Sequence, residues 1–244
     1  MLKMFNLRSL RNIGFLLYLF IYLIFPNSAI TQNKKVDLSR NLEKALNARD
    51  FEFLNQNFKD GENIILTKKF SKIIEEFPNA KWYIKRAKSE KIDQDILQVK
   101  VTGKKVIGKE IFLLESNFNY LFSIHENKIN KGSLKNLLTT IRNDNNKIDI
   151  TFSIPDKVLT GTKYDIDIIL NDPLSEIIIA GGIKPHQEDS LLKQEINIEP
   201  LLTGGIFKMT RAPSKPGTQI WSGVIAHPQG IITFTKSVEI VEKI

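Results

Sequence analysis

Residues 96–125, ILQVKVTGKKVIGKEIFLLESNFNYLFSIH, decide the fold of this chain. Apolar and polar side chains alternate along most of this stretch, and a period of two residues is typical of a β-strand with one buried face. Together with the residues before it, the pattern predicts four strands, at Trp82–Glu90, Ile96–Thr102, Val106–Glu115 and Phe118–His125. Turn-forming residues separate the last three at Thr102-Gly103-Lys104 and Ser116-Asn117. We therefore expect an antiparallel meander in this part of the chain.

Helical signals precede the meander. Asp37 is predicted to cap a short amphipathic helix that reaches Asn47, because leucine and alanine recur between them at helical spacing. Asp50 is predicted to cap a second helix that ends at Asp60-Gly61. An apolar stripe over residues 66–77 predicts a third helix, which Pro78 ends because proline cannot continue the hydrogen-bond ladder.

Helices followed by a curved antiparallel sheet form an α+β arrangement. The segment 129–141 completes it either as a final strand or as a short helix, and the spacing of its leucines favours a helix. Over residues 36–146 this order of elements resembles the cone-shaped fold of the nuclear transport factor 2-like superfamily. The resemblance implies a pocket between the bent sheet and its helices. Some members of that superfamily use the pocket for isomerase or dehydratase chemistry, and many use it only for binding or dimerisation.

Residues 147–244 differ in pattern and in charge. Seven short alternating segments, among them Ile148–Ile154 and Tyr164–Leu170, are separated by proline- and glycine-containing turns. They predict an all-β domain that resembles an immunoglobulin-like sandwich without its disulfide. Basic residues outnumber acidic ones 23 to 15 in residues 30–147, whereas acidic residues outnumber basic ones 12 to 9 in residues 148–244. We therefore place a domain boundary between residues 146 and 147, and we expect Trp221 in the core of the second domain.

The N-terminus predicts export. Residues 1–29 combine basic residues with the uninterrupted apolar run Ile13–Phe25, IGFLLYLFIYLIF, and end in the small residues Ser28 and Ala29. As a helix this run would span roughly 20 Å, against about 30 Å of membrane hydrocarbon. It therefore fits the core of a signal peptide that is cleaved after Ala29. The mature protein would then be periplasmic. A retained anchor on the outer face of the inner membrane and a buried N-terminal helix are the alternatives.

Composition excludes several classes of site. The chain has no cysteine, so it contains no disulfide, thiolate nucleophile or cysteine-ligated metal. Its net charge of +8 by itself would suggest binding to nucleic acid. However, 28 of its 35 basic residues are lysines, which recognise phosphate less specifically than arginines do. Nucleic acid is therefore disfavoured as a partner.

Candidate ligand-binding residues lie in the first domain. The aromatic and imidazole candidates are Trp82, Tyr83, Tyr120 and His125. Packing against the core is the competing interpretation of the three aromatic residues, and an exposed strand end is that of His125. A basic cluster comprises Lys81, Lys85, Arg86, Lys88 and Lys91. Its interpretations are a solvated sheet face, a surface for anionic lipid or an acidic partner, and a single-stranded nucleic-acid site.

No catalytic or metal-binding constellation is evident. His186, Glu188 and Asp189 lie in a loop without a ligand-spaced partner, so we expect neither a metal nor a cofactor. We therefore expect an exported, non-enzymatic binding or scaffolding protein whose ligand is a protein or a small molecule. The alternative is an isomerase- or dehydratase-type enzyme, or a small-molecule carrier, that uses a pocket in the first domain. A membrane surface and a homodimer stay open as partners.

Overall fold

The computed structural model describes residues 28–59, 71–87, 94–126, 128–145, 148–171, 179–186, 196–201 and 204–242. In these ranges the helices are α1 (Ser28–Ala48) and α2 (Phe51–Asn57), and residues 71–76 are helical as well. The strands are β1 (Lys81–Ala87), β2 (Asp95–Ile107), β3 (Glu110–His125), β4 (Lys128–Asn143), β5 (Ile150–Ser153), β6 (Lys157–Leu159), β7 (Lys163–Leu170), β8 (Ala180–His186), β9 (Glu199–Pro200), β10 (Gly205–Arg211), β11 (Gly217–His227) and β12 (Gly230–Val241). All of these strands belong to one compact unit, Ser39–Ile244.

The strands form two sheets. The larger has nine strands in the order β1-β2-β3-β4-β12-β11-β8-β9, with β6 beside β12, and the smaller has the order β10-β7-β5. Strand β6 runs parallel to β12, whereas the other pairs are antiparallel. Strand β4 hydrogen-bonds to β12 from Leu138 to Arg142. The large sheet therefore continues across the boundary that was expected between residues 146 and 147.

The expected fold class is wrong on this point. The protein is a mainly antiparallel β structure with few helices, and it is neither a cone-shaped α+β domain nor a chain with a separate immunoglobulin-like sandwich. Two layers do stack in the C-terminal half, but one of them is the end of the sheet that begins at β1. Alternation in a sequence reveals that a strand has a buried face, but it does not identify the neighbouring strand.

The helices differ from their predicted limits. Helix α1 begins at Ser28, so Asp37 lies inside it and is not its cap. Asp50 does cap α2, because its side chain accepts a hydrogen bond from the Phe53 N–H at 3.0 Å. Helix α2 ends at Asn57, and the predicted stop at Asp60-Gly61 lies outside the described residues.

Strands β2 and β3 form one long hairpin rather than three short strands. Their pairing runs from Asp95–Phe122 to Ile107–Glu110, and the turn lies at Gly108, whose φ of 62° suits glycine. The turn expected at Gly103 is absent because this glycine lies in β2 against a side chain: a Cβ there would be 3.0 Å from the Cβ of Phe77. Ser116 is likewise a strand residue, and its hydroxyl is 2.6 Å from that of Thr139 on β4.

The helix favoured for residues 129–141 is in fact strand β4. Two irregularities of register with β3 shift its alternation, one opposite Asn117–Asn119 and one opposite Leu121–Ser123. Each adds one residue to β4, so apolar residues recur at intervals that resemble a helical period. The bulges therefore explain why the spacing of the leucines was misleading.

One face of β1–β3, here called the helix face, is buried. Its buried side chains are Trp82, Ile84, Leu97, Val99, Val101, Leu114, Phe118, Tyr120 and Phe122. The helices contribute Leu42, Ala45, Leu46 and Leu54 to the interior of this half. Burial of such side chains stabilises the fold by about 1.5–3 kcal/mol each.

The opposite face of β1–β4, here called the open face, changes character along the sheet. Residues that pair directly across strands point to the same face, so one row runs from Lys81 through Thr102, Glu115 and Thr140 to Phe234. Lys81 is exposed, whereas Phe234 belongs to a core cluster with residues of the three-stranded sheet. The helices thus cover one face at the β1 end, and the small sheet covers the opposite face at the β12 end.

The core of the C-terminal half contains Trp221, which is 1% exposed, so its predicted packing role is confirmed. The indole N–H donates a hydrogen bond to the Tyr164 hydroxyl at 2.9 Å. That hydroxyl donates in turn to Gln219 at 2.8 Å. Burial raises the pKa of the Tyr164 phenol, and the hydrogen bond from Trp221 opposes this effect.

Candidate ligand-binding face

Alternation in β1, β2 and β3 places polar side chains on the open face. Two cross-strand rows result, one formed by Tyr83, Lys100 and Asn117 and the other by Lys85, Gln98 and Asn119. Trp82, Val99 and Phe118 occupy the intervening positions on the helix face. The hydrophobic residues that hold the sheet in register therefore also fix the positions of these polar groups.

A cavity of about 640 Å³ lies over these rows. Its lining residues are Tyr83, Lys85, Gln98, Val99, Lys100, Thr102, Asn117, Phe118, Asn119 and Asn136. Tyr83 is 48% exposed, which leaves its ring accessible to a ligand. A cavity of this size is within the usual range for small-molecule sites.

A β-bulge adds Asn136 to the cavity. Asn117 pairs with Leu138 and Asn119 pairs with Lys135, so β4 has one residue more than β3 between these pairs. Asn136 has a φ of 52°, in the left-handed region that asparagine tolerates better than most residues do. The bulge therefore brings a third asparagine to the site, at a strained position of the backbone.

Ion pairs neutralise part of the positive charge on the open face. The Nζ of Lys100 lies 2.8 Å from Glu115, and the Nζ of Lys135 lies 2.5 Å from Glu239. The hydrogen bond from Lys100 lowers the pKa of Glu115, an effect that partial burial opposes. Within the part of the chain that the structure describes, neither Lys81 nor Lys85 forms an ion pair. Lys104 and Arg142, two residues along from Thr102 and Thr140, lie on the same face and likewise form no ion pair among the described residues. The face is therefore cationic, with unpaired charge on β1, β2 and β4.

The structure divides the predicted aromatic candidates between the two faces. Tyr83 lines the cavity, whereas Trp82 and Tyr120 are 1% and 5% exposed on the helix face. Tyr120 stacks on Phe122, with their ring centroids 5.7 Å apart. His125 is exposed at the end of β3, 3.9 Å from Glu126. These four residues therefore do not form a common site.

The basic cluster is divided as well. Lys81 and Lys85 lie on the open face, whereas Arg86 pairs with Asp95 at 3.1 Å. Lys88 and Lys91 lie outside the described residues.

Eight of the described lining residues were missed by the sequence prediction, and the polar ones are Gln98, Lys100, Thr102, Asn117, Asn119 and Asn136. The signal for four of them was present, because Gln98 and Lys100 alternate with Leu97 and Val99, and the two asparagines flank Phe118. Asn117 was instead assigned to a turn. Asn136 could not have been found from alternation, since it lies at a bulge.

The candidate metal ligands named from the sequence do not form a cluster among the described residues. His186 is buried in β8, and Glu188 and Asp189 lie outside the described residues. Among residues of known position, no group of three or more histidine, aspartate or glutamate side chains is arranged to hold a metal ion. Within the same ranges, no helix combines the length and hydropathy that a membrane span requires. The run Ile13–Phe25 is not part of these ranges.

Comparison with known proteins covers only the C-terminal part. A family model described as a domain of unknown function (DUF8623) matches residues 145–241. That stretch contains β5 to β12 and none of the described residues that line the cavity. No curated protein matches the chain.

Proposed function

We propose that this is an exported, non-catalytic binding protein that holds its ligand on the open face of β1–β4. The observation that carries the proposal is the cavity of about 640 Å³, which combines one accessible aromatic ring with amide and ammonium groups. The amide groups donate and accept hydrogen bonds and the ammonium groups donate them, so this lining is suited to holding a polar ligand. None of the described residues that line it carries a carboxylate.

The enzymatic alternative has weaker support. A second cavity, of about 500 Å³, contains Glu43 beside Tyr83 and Lys81. The Glu43 carboxylate, however, accepts a hydrogen bond from the Ile84 N–H at 2.7 Å. The carboxylate therefore serves as a hydrogen-bond acceptor for the edge strand β1.

Export is part of the proposal and is supported by the sequence of residues 1–29. A basic start, an apolar run of signal-peptide length and small residues at its end are the features that favour cleavage after Ala29. Edman sequencing of the native protein should begin at Ile30. An intact Met1 in material recovered from the cytoplasmic fraction would contradict export.

Binding on the open face is tested by amide NMR of the mature chain with a panel of probes. The panel comprises soluble polysaccharides, oligothymidylate, phosphatidylglycerol vesicles and a mixture of common metabolites. At least one probe should shift resonances of Gln98, Asn117 and Asn119, and Tyr83→Ala should weaken its binding about tenfold. Phe207→Ala removes an aromatic ring that is 53% exposed on β10 and serves as the control. Shifts confined to other parts of the chain, or chemical conversion of the bound probe, would overturn the proposal.

A further inference from the structure

The neutral amide groups of the open face determine which ligand it fits. Gln98, Asn117, Asn119 and Asn136 each offer one carbonyl acceptor and two N–H donors, and Thr102 adds a hydroxyl. A ligand that satisfies such an array must donate and accept hydrogen bonds at closely spaced positions. Vicinal hydroxyl groups have this property, whereas hydrocarbon has neither donors nor acceptors.

Resting on the proposed function, we infer that the ligand of the open face is a carbohydrate chain. The two rows of polar residues run perpendicular to the strands, from β1 towards β4. Three spacings of about 4.8 Å between four strands give a binding track of roughly 14 Å. A track of this length accommodates a short oligosaccharide in an extended conformation.

Tyr83 is placed to stack on a sugar ring. It lies at the β1 end of its row, and with 48% of its surface exposed its ring is accessible from the open face. The apolar face of a pyranose, formed by C–H groups, packs on an aromatic ring, while the phenol hydroxyl stays available for a hydrogen bond. Lys85, on the same strand, adds a donor of hydrogen bonds to hydroxyl oxygens and a charge partner for an occasional acidic group.

The distribution of charge disfavours a polyanion. Lys100 and Lys135 are each bound to a carboxylate, so among the described residues that line the cavity Lys85 is the one cation without an ion pair. A nucleic acid places a phosphate at every nucleotide and also requires several aromatic rings for its bases. Tyr83 is the one aromatic ring of this face with high exposure among the residues described.

Affinity electrophoresis and isothermal titration of the mature chain test the inference with four probes. These are a soluble neutral glucan, a soluble neutral galactomannan, oligothymidylate and phosphatidylglycerol vesicles. We expect one or both polysaccharides to bind, with a dependence on salt concentration no steeper than about two released counterions. Asn119→Ala and Tyr83→Ala should each weaken binding about tenfold, whereas Tyr83→Phe should retain it because the ring is kept. Lys163→Ala and Phe207→Ala, on the small sheet, should leave it unchanged.

Other results would distinguish an error in the ligand class from an error in the position of the site. Binding of oligothymidylate or vesicles alone, with steep salt dependence and sensitivity to Tyr83→Ala, would overturn the carbohydrate class and leave the open face as the binding site. Polysaccharide binding that is insensitive to both Tyr83→Ala and Asn119→Ala would overturn the assignment of the site. Absence of polysaccharide binding would overturn the inference.

Discussion

Tyr164 and Trp221 connect the two sheets through one hydrogen bond inside the core. The Tyr164 hydroxyl accepts from the Trp221 indole at 2.9 Å and donates to Gln219 at 2.8 Å, so it satisfies two polar groups. A buried donor that loses its acceptor costs the full desolvation penalty of the group. This hydroxyl is therefore more important for stability than its small size suggests.

Tyr164→Phe should lower the free energy of unfolding by about 1–3 kcal/mol, because the Trp221 N–H loses its acceptor without gaining access to water. Urea unfolding followed by tryptophan fluorescence measures the loss. Tyr83→Phe removes an exposed hydroxyl and should change stability by less than about 0.5 kcal/mol. Equal losses in the two variants would show that the buried hydrogen bond contributes no more to the free energy of unfolding than the exposed hydroxyl does.

Glu239 makes stability depend on pH in the acid range. Burial by itself would raise the pKa of this carboxyl, but the hydrogen bond and charge of Lys135 and the charge of Lys157 outweigh burial and lower it below 4.5. A lowered pKa in the folded state contributes stability above the unfolded value near 4.5, and this contribution is lost as pH falls through the folded value.

Glu239→Gln should therefore flatten the decline of stability below pH 5 and lower stability at pH 7 by up to about 1 kcal/mol. Thermal unfolding between pH 3 and pH 7 provides the measurement. Glu199→Gln, at an exposed position on β9, is the control and should leave the slope unchanged. A slope that persists in Glu239→Gln would assign the acid sensitivity to other groups.

At the scale of elements, strand β1 is the edge of the large sheet, and α1 protects that edge. The Asn47 side chain accepts from the Trp82 N–H and donates to the Trp82 carbonyl, both at 2.9 Å. Glu43 accepts from the Ile84 N–H. An exposed edge strand otherwise offers these groups to other chains and promotes aggregation.

Asn47→Ala should lower stability by about 1–3 kcal/mol and increase light scattering on heating, because two backbone groups of β1 lose their partners. Glu43→Gln serves as the comparison. Because the amide keeps a carbonyl acceptor for the Ile84 N–H, this variant should be as stable as the original protein. A strong loss in Glu43→Gln would indicate that charge, and not the hydrogen bond, protects the edge.

Strand β4 shows how far sequence patterns can be taken at this scale. Alternation located β1 and the strand parts of β2 and β3, because regular strands place every second residue in the core. It failed at residues 129–141, where two bulges disturb the period. It also assigned Gly103 to a turn, although close packing against Phe77 is what requires a glycine there. Local composition does not distinguish these uses of glycine.

At the scale of the molecule, the pairing of β4 with β12 could not be predicted, because it joins residues that are far apart in sequence. The sequence suggested two domains because the sign of the charge and the pattern of elements both change near residue 147. The open face was missed because the sequence does not show which part of a polar strand face the second sheet covers. Candidate residues chosen by type alone therefore included Trp82 and Tyr120, which are buried.

The shared sheet predicts cooperative unfolding. The chain has two tryptophans, Trp82 in the N-terminal half and Trp221 in the C-terminal half, so Trp82→Phe and Trp221→Phe each leave one reporter. After correction for the stability of each variant, the remaining tryptophan and the far-ultraviolet circular dichroism should give the same urea midpoint. A plateau between transitions of the two reporters would show that the halves unfold independently.

The pairing of β12 with β4 has a consequence for any protein that contains only the equivalent of residues 145–241. In this chain, one side of β12 is occupied by β4 along Ile232–Lys236 and by β6 along Glu239–Val241. Without β4, this five-residue stretch of a long strand would present unpaired amides and carbonyls to solvent at every second residue. Such a protein would have to recruit a substitute strand, either from its own flanking sequence or from a neighbouring molecule.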